Sequence, residues 1–525
     1  MFSFPWWLSL SIGFLSLSEE ILWVRAAGFT FETLPFAFAF VLACYLVGIA
    51  LGAAYGKRLC GRVSNLYAAA AIVLAGAAIA DALVPTLIAG MLSEGSPHKF
   101  VFFAVLIITT AALKSILFPI AHHLGSVAEG SYVGRSVSRI YFGNIIGATL
   151  GPLVTGFIAL DRLSADECFA ILAAACLLLS VLCALRGRSR GFIAAPVAAA
   201  ALLSTFAAHI ALPGPGALRV VAAGGKFMTH WAANRHGIIH TAKTGVGDFV
   251  FGGNVYDGIA SVDVTVNANR LDRLYLLALL HRQPKRILSI GMSTGAWIRA
   301  IQGFSGVEAI DVVEINPAYV ELTRAYPTLA PLLDDPRVHI HIDDGRRWLK
   351  RHPDERYDVI IQNTTYHWRA NASSLLSREY LQNVREHMSP GAILMTNTTG
   401  SFDVLATMAA VFPTAYRYGN FGYASDHELK PDLSLLAQTR RPDGLPFVTV
   451  EVPQTSVVGM LSVAELDPAA PYIASFQVDA RVITDDNLLT EYRHGRRVGP
   501  QWLQALQPPT LPEFGFDPWV RPGTH

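Results

Sequence analysis

Charge is scarce in this sequence. Asp, Glu, Lys and Arg make up 15% of 525 residues and nearly cancel, leaving a formal +1. An ordinary soluble protein carries roughly 25%. With 52% apolar residues, a disordered chain is excluded, because ample apolar surface is available for burial. A nucleic-acid binder held by bulk positive charge is excluded as well. Cysteine is rarer still: Cys44, Cys60, Cys168, Cys176 and Cys183 are all there is. None lies beyond residue 212, so the second part of the chain has no disulfide framework and no thiolate metal site, and no metal is expected. A basic leader is missing too. No small-residue cleavage site precedes Glu19, so the first apolar run does not read as a secretory signal.

What charge there is falls unevenly: residues 1–212 hold 21 of the 81 charged residues. A spanning helix needs about 20 mostly apolar residues. Thr33–Gly56, Leu66–Leu92, Phe100–Leu124, Ile140–Leu160, Cys168–Leu185 and Gly191–Leu212 meet that length, with Asp81 and Lys114 as interruptions. The first run, Pro5–Phe29, contains Glu19, Glu20 and Arg25 and is the least regular. The expectation is a polytopic all-α bundle of about seven helices over 1–212. Glu20 and Arg25 are expected to pair along one helix face, with a polar site facing the bundle interior as the alternative. Asn144, Gly147 and Gly151 form a small-residue face suited to close helix packing. Lys57, Arg58, Arg62, Arg135, Arg139, Arg186, Arg188 and Arg190 fall in alternate loops, which puts the N-terminus inside. Seven crossings would put residues 213–525 outside, away from cytosolic nucleotide cofactors. The sequence leaves that side open and marks the first run, read as re-entrant, as the place where the count would fail.

Pro213–Gly216 breaks the helical pattern. Residues 213–283 read as a linker and a short β-region, in which Ile259–Val266 alternates with period two like a strand. Leu271–His281 reads as a helix. From 284 to 525 strands alternate with helices, the mark of a parallel sheet: strands at Arg286–Ile290, Val307–Val313, Val338–Ile342, Val359–Gln362 and Ala392–Thr396. The expected fold is a Rossmann-like, methyltransferase-type α/β domain.

The turn after the first of these strands, Gly291-Met-Ser-Thr-Gly295, lets backbone approach a ligand, and the helix start beyond it offers free N–H groups. Glu314 ends the next strand, 23 residues after Gly291, and suits a pair of ribose hydroxyls. Asp344, after the third strand, suits an adenine amino group. The candidate nucleoside contacts are Gly291, Ser293, Gly295, Glu314, Asp343, Asp344 and Asn363. The alternative is a Rossmann-like domain whose acids only cap helices.

Residues 284–400 resemble the polyamine aminopropyltransferases, the spermidine synthases. The resemblance rests on Pro-Lys-Arg-Ile-Leu-Ser-Ile-Gly (284–291), Val-Val-Glu-Ile-Asn-Pro (312–317), Asp-Asp-Gly-Arg (343–346), Tyr-Asp-Val-Ile-Ile (357–361) and Ser-Arg-Glu-Tyr-Leu (377–381). The tail Ile-Thr-Asp-Asp-Asn (483–487) resembles the family's late motif, and segments at 20–25 and 134–144 resemble its membrane-fused bacterial members. The match is weakest over 400–480. The resemblance implies an integral protein of a bacterial inner membrane. It would transfer an aminopropyl group from decarboxylated S-adenosylmethionine to an amine or lipid-like acceptor, in polyamine biosynthesis. It also implies pairing of chains as a homodimer through the β-region.

The family's catalytic acid sits in an Asp-Ser-x-Asp-Pro-like loop after the fourth strand. Here that loop reads Asn363-Thr-Thr-Tyr-His-Trp-Arg-Ala-Asn371, with no carboxylate between Asp358 and Glu379, and Arg369 would repel a polyamine. Trp368 suits either a pocket wall or the core. Three readings stand: Tyr366 or His367 serves as base, the base comes from the tail (Asp485, Asp486 or Glu491), or the domain only binds nucleoside. Methyl transfer from intact S-adenosylmethionine is the competing reaction, and a non-catalytic membrane sensor or transporter the competing role.

Overall fold

The computed structural model describes residues 3–91, 99–129, 133–187, 196–197, 200, 216–223, 228–363, 366–447 and 453–493. The chain divides into two units, Met1–Lys226 with Ala233–Ile238, and Phe227–Ala232 with Ile239–His525.

The first unit contains α1 (Phe4–Thr30), α2 (Pro35–Cys60), α3 (Leu66–Met91), α4 (Lys99–Glu129), α5 (Val133–Val154, continued by a π-helical turn to Ala159) and α6 (Ala165–Arg186). Among the described residues, six helices are therefore long and apolar enough to cross a membrane. The seventh expected run, Gly191–Leu212, lies outside the described residues but for three. Prolines open α1 and α2, where a missing N–H costs nothing. Ser164 and Glu167 close a reciprocal capping box on α6.

Helices pair α1 with α5, α2 with α4 and α3 with α6. Gly147 and Gly151 meet the α1 backbone at Leu10 and Phe14, and Gly13 meets Asn144 in return. A Cβ at any of these would overlap a carbonyl oxygen, so the expected small-residue face is a packing face. Gly48, Gly52 and Gly56 do the same for α2 against α4.

The first run is one unbroken helix, not a re-entrant segment. The expected Glu20–Arg25 pair is not formed among the described residues; Arg25 donates to the Asn234 carbonyl (2.6 Å). Glu19, one residue earlier, faces inward. Its carboxylate meets Lys114 Nζ at 2.9 Å, and Lys114 reaches Asp81 at 2.6 Å. All three are essentially inaccessible to solvent. Trp23 Nε1 donates to Glu19 (3.2 Å), and Cys176 Sγ lies 3.7 Å from Asp81. Glu19, Asp81 and Lys114 thus meet one another, which is how ions buried in an apolar bundle are tolerated.

Next comes an antiparallel sheet of β1 (Met228–Asn234), β2 (Gly237–Ala242), β3 (Asp248–Gly252) and β4 (Val255–Ala260), in that order; its residues 233–238 belong to the first unit and the rest to the second. The expected strand Ile259–Val266 is corrected here: β4 ends at Ala260. The Asp263 carboxylate accepts from the N–H groups of Thr265 and Val266 (2.7 and 3.0 Å), and this local turn competes successfully with extension. α7 (Asp272–Leu280) follows.

The main sheet contains β5 (Arg286–Ile290), β6 (Ala309–Glu314), β7 (Val338–Ile342), β8 (Tyr357–Gln362), β9 (Met388–Asn397), β10 (Thr414–Tyr418), β11 (Phe421–Ser425) and β12 (Asp467–Pro468). Their spatial order is β12-β10-β11-β9-β8-β5-β6-β7. β5 to β9 are parallel, whereas β9, β11, β10 and β12 pair antiparallel. The helices on the two faces include α8 (Ala296–Ile301), α9 (Ala318–Arg324), α10 (Gly345–Arg351), α11 (Arg378–Glu386) and α12 (Phe402–Val411). Ile287, Val312, Val359 and Ile393 fill one side of the sheet, and Leu288, Val313, Ile360 and Leu394 the other. Both faces are covered, which is why these strands read as continuous apolar runs. This is the expected Rossmann-like α/β domain, reached through an all-α apolar region and a small β-region. The chain winds outward from β5 through β6 to β7 and then returns to β8. That reversal opens a crevice at the carboxyl ends of β5 and β8, the usual ligand position in such sheets.

Candidate active site

The turn that leaves β5 is left-handed three times over. Gly291 has φ 88°, Ser293 φ 48° and Gly295 φ 78°. Glycine takes this region freely, whereas serine does so at a cost; the Ser293 hydroxyl is anchored on the Asp257 carbonyl at 3.1 Å. A Cβ on Gly295 would strike Leu332 and crowd Thr323, so this glycine lets α8 start close against α9 and the turn at Ala330–Asp334.

A cavity of about 200 Å³ lies against this turn, lined by Gly291, Ser293, Glu314, Ile315, Tyr319, Asp343, Asp344, Asn363 and Arg369, with Asp257 at its edge. Glu314 is 4% exposed. Its two oxygens accept from the N–H groups of Met292 (2.9 Å) and Asn316 (2.8 Å). Burial pushes its carboxyl up to about 7, against the pull of those two N–H groups. Each carboxylate oxygen has a second acceptor site, which suits two neighbouring hydroxyls. Asp344 caps α10 by accepting from Arg347 N–H (2.8 Å), so the capping alternative holds for it, though it also lines the cavity. Asp343 accepts from Asp344 N–H (2.7 Å) and from Arg347 Nε. Burial pushes its carboxyl up, but Arg347 and Arg351 hold it below the ordinary range.

A second cavity, of about 250 Å³, adjoins the first and shares Asp257, Ser293 and Asn363 with it. Its other walls include Arg270, Arg273, Trp297, Tyr366, Asn397, Thr399, Asn420 and Phe421. Tyr366 lines it. His367 does not line either cavity: it is 2% exposed, and its Nδ1 lies 2.7 Å from Thr399 Oγ1. Trp368 is buried beside Tyr366, with ring centres 5.2 Å apart. Asp485 is also away from both cavities. It takes a bidentate grip from Arg346 (2.7 and 2.5 Å) and the Ser377 hydroxyl (2.6 Å), and Arg346 holds its carboxyl down to about 2. Glu491 likewise accepts from Ser373 and Asn371. These tail acids fasten the tail.

The carboxylate common to both cavities is one the sequence reading passed over. Asp257 on β4 accepts from Tyr319 OH at 2.6 Å. Burial pushes its carboxyl up to about 6, opposed by that hydroxyl and by Arg369. Arg273, Tyr319, Asn397 and Asn420 were passed over as well. All reach the crevice from elements distant in sequence, and only Tyr-Asp-Gly258 interrupting an apolar strand hints at any of them.

Residues 275–411 match the family model described as spermine/spermidine synthase domain. The chain is 32% identical over 112 residues to the spermine synthase of Arabidopsis thaliana, covering 21% of this chain and 31% of the relative. It is 32% identical over 123 residues to a polyamine aminopropyltransferase of Thermoanaerobacter sp. (strain X514), covering 23% and 44%. The chain thus spans less than half the length of these curated relatives. Among solved structures it is similar to the spermidine synthase from Thermotoga maritima, at 18% identity over 38% of this chain and 73% of that one, with a TM-score of 0.33. A spermidine synthase in complex with the transition state analogue AdoDATO is similar at 19% identity, 38% and 74% coverage and a TM-score of 0.34.

Proposed function

We propose that the second unit is a transferase anchored by a membrane-spanning first unit. It binds an adenosyl-sulfonium donor in the cavity beneath Gly291 and passes an aminopropyl-type group to an amine in the adjoining cavity. The observation that carries this reading is Glu314, a buried carboxylate with spare acceptor sites on the wall of a cavity at the switch point of the sheet. The similarity of residues 275–411 to spermine/spermidine synthase domains supports the donor class.

An attacking amine must lose a proton, and a carboxyl near pH 6 beside both cavities fits that task. Asp257 is therefore the proposed base, in the role the family gives to an acid after β8; neither His367 nor Asp485 touches the reacting space. Tyr319 orients Asp257, and Tyr366 lines the acceptor side. The test is to incubate the full-length protein in detergent with decarboxylated S-adenosylmethionine or with intact S-adenosylmethionine, and to identify the nucleoside product by mass. Methylthioadenosine is expected from the first. S-adenosylhomocysteine from the second would assign methyl transfer instead. Glu314→Gln should lower methylthioadenosine affinity by about tenfold or more in calorimetry, and unchanged affinity would refute the ribose role.

A further inference from the structure

Resting on the reading just given, the second cavity identifies the kind of ligand that enters it. A polyamine site presents acceptors and negative charge; this one sets Arg270, Arg273 and a row of amides around a single carboxylate, Asp257. Arg273 lies with its guanidinium 5.0 Å from the Phe421 ring centre and 5.8 Å from that of Trp297. It donates to Asn420 Oδ1, to Arg270 O (3.1 Å) and to Asn269 O (3.4 Å), all neutral oxygens. The adjacent carboxylate, Asp272, is taken by Arg270 (3.0 Å), Asn267 (2.7 Å) and Tyr418 (3.1 Å). Asp272 is hydrogen-bonded to Arg270 and not to Arg273, so among the described residues the Arg273 guanidinium is hydrogen-bonded to neutral oxygens alone. Burial pushes it down to about 10, which leaves it a cation at neutral pH.

Arg273 also sets the polarity of a chain of amides. An arginine cannot accept a hydrogen bond, so Asn420 must turn its oxygen to Arg273 and its NH2 onward. Asn420 Nδ2 donates to Asn397 Oδ1 (2.9 Å), which the Thr399 N–H also fixes (2.9 Å). Asn397 Nδ2 then donates to Asn363 Oδ1 (3.0 Å). The chain ends with the Asn363 NH2, a donor, on the wall shared by both cavities. That is the position where the related loop would carry an acid.

We infer that the second cavity binds a carboxylate, received by Arg273 and the Asn363 amide, and that it rejects polycations. The carboxylate has two sources: the amino-acid end of the donor, as in intact S-adenosylmethionine, or the acceptor. Calorimetry on the full-length protein separates them. If the donor carries it, S-adenosylhomocysteine binds about tenfold or more tighter than methylthioadenosine, and Arg273→Met erases the difference while methylthioadenosine still binds. If the acceptor carries it, the two nucleosides bind alike, and protein saturated with methylthioadenosine binds 4-aminobutyrate in preference to 1,4-diaminobutane. Asn363→Asp, which puts a carboxylate at the end of the amide chain, should reduce or invert either preference even if Arg273→Met fails to fold. The inference is overturned if S-adenosylhomocysteine holds no advantage and 1,4-diaminobutane binds at least as tightly as 4-aminobutyrate, or if neither substitution moves the preferences. Failure of both nucleosides to bind would instead refute the nucleoside cavity, and this inference with it.

Discussion

Two carboxyls with raised proton affinity face the same crevice, and their chemistry separates by pH. Glu314, near 7, must be ionised to accept two hydroxyls at full strength, because a protonated carboxyl loses acceptor capacity. Methylthioadenosine affinity should therefore fall as pH drops from 8 to 6, and Glu314→Gln should flatten that profile; an equally steep profile in the variant would place the titration elsewhere. Asp257, near 6, governs turnover in the proposed reaction. Asp257→Asn should bind nucleoside within about threefold of the native protein yet lose about 10²-fold or more in rate. Its stability moves the other way. A carboxyl raised in the folded state binds more protons there than in the unfolded chain, so stability falls as pH rises from about 4 through about 6. The asparagine variant should thus gain up to about 3 kcal/mol at pH 8 relative to its effect at pH 4. A melting difference independent of pH would contradict the ionised, desolvated Asp257. The position of Glu314 was legible in the sequence because it follows from the end of one strand. Asp257 was not, because its place beside Ser293 comes from a sheet packed against a turn 36 residues later.

At the scale of elements, the parallel strands were legible because β5, β6, β8 and β9 carry apolar residues on both faces and β5, β6 and β7 run into a glycine or an acid. β4 was not, because Ser261 to Val266 alternates like a strand while the Asp263 side chain folds it into a turn. The helix termini followed their caps, Ser377 on α11 and Ser401 on α12. Inside the apolar helices, the charged positions were legible but their partners were not, since pairing depends on which helices meet. Lys114 of α4 joins Glu19 of α1 and Asp81 of α3. Lys114→Met would leave two carboxylates buried without a cation, and about 3–5 kcal/mol of stability should go with it. Asp81→Asn, which keeps the Lys114–Glu19 pair, should cost clearly less. The check is detergent melting of the three proteins side by side, and equal losses would show that the ions do not act as one cluster.

For the whole molecule, the uneven distribution of charge separated an apolar helical part from a mixed α/β part without any structural information. What it left open was the number of crossings, and the proposed chemistry now gives that number a consequence. Adenosyl-sulfonium donors are cytosolic, so a working second unit must lie on the cytosolic side. Lys57, Arg58 and Arg62 follow α2 and mark their loop as cytosolic by the positive-inside rule. An even count, such as the six long apolar helices α1 to α6, returns the chain to that side; a seventh crossing by residues 191–212 would not. Reporters inserted near Gly61 and fused after His525 should therefore both report the cytosolic side. Opposite signals would establish an odd count and separate the crevice from any cytosolic donor. The same protein would then have to show nucleoside binding from the outside, and catalysis on a cytosolic donor would be refuted, however well Glu314 and Asp257 are placed for it.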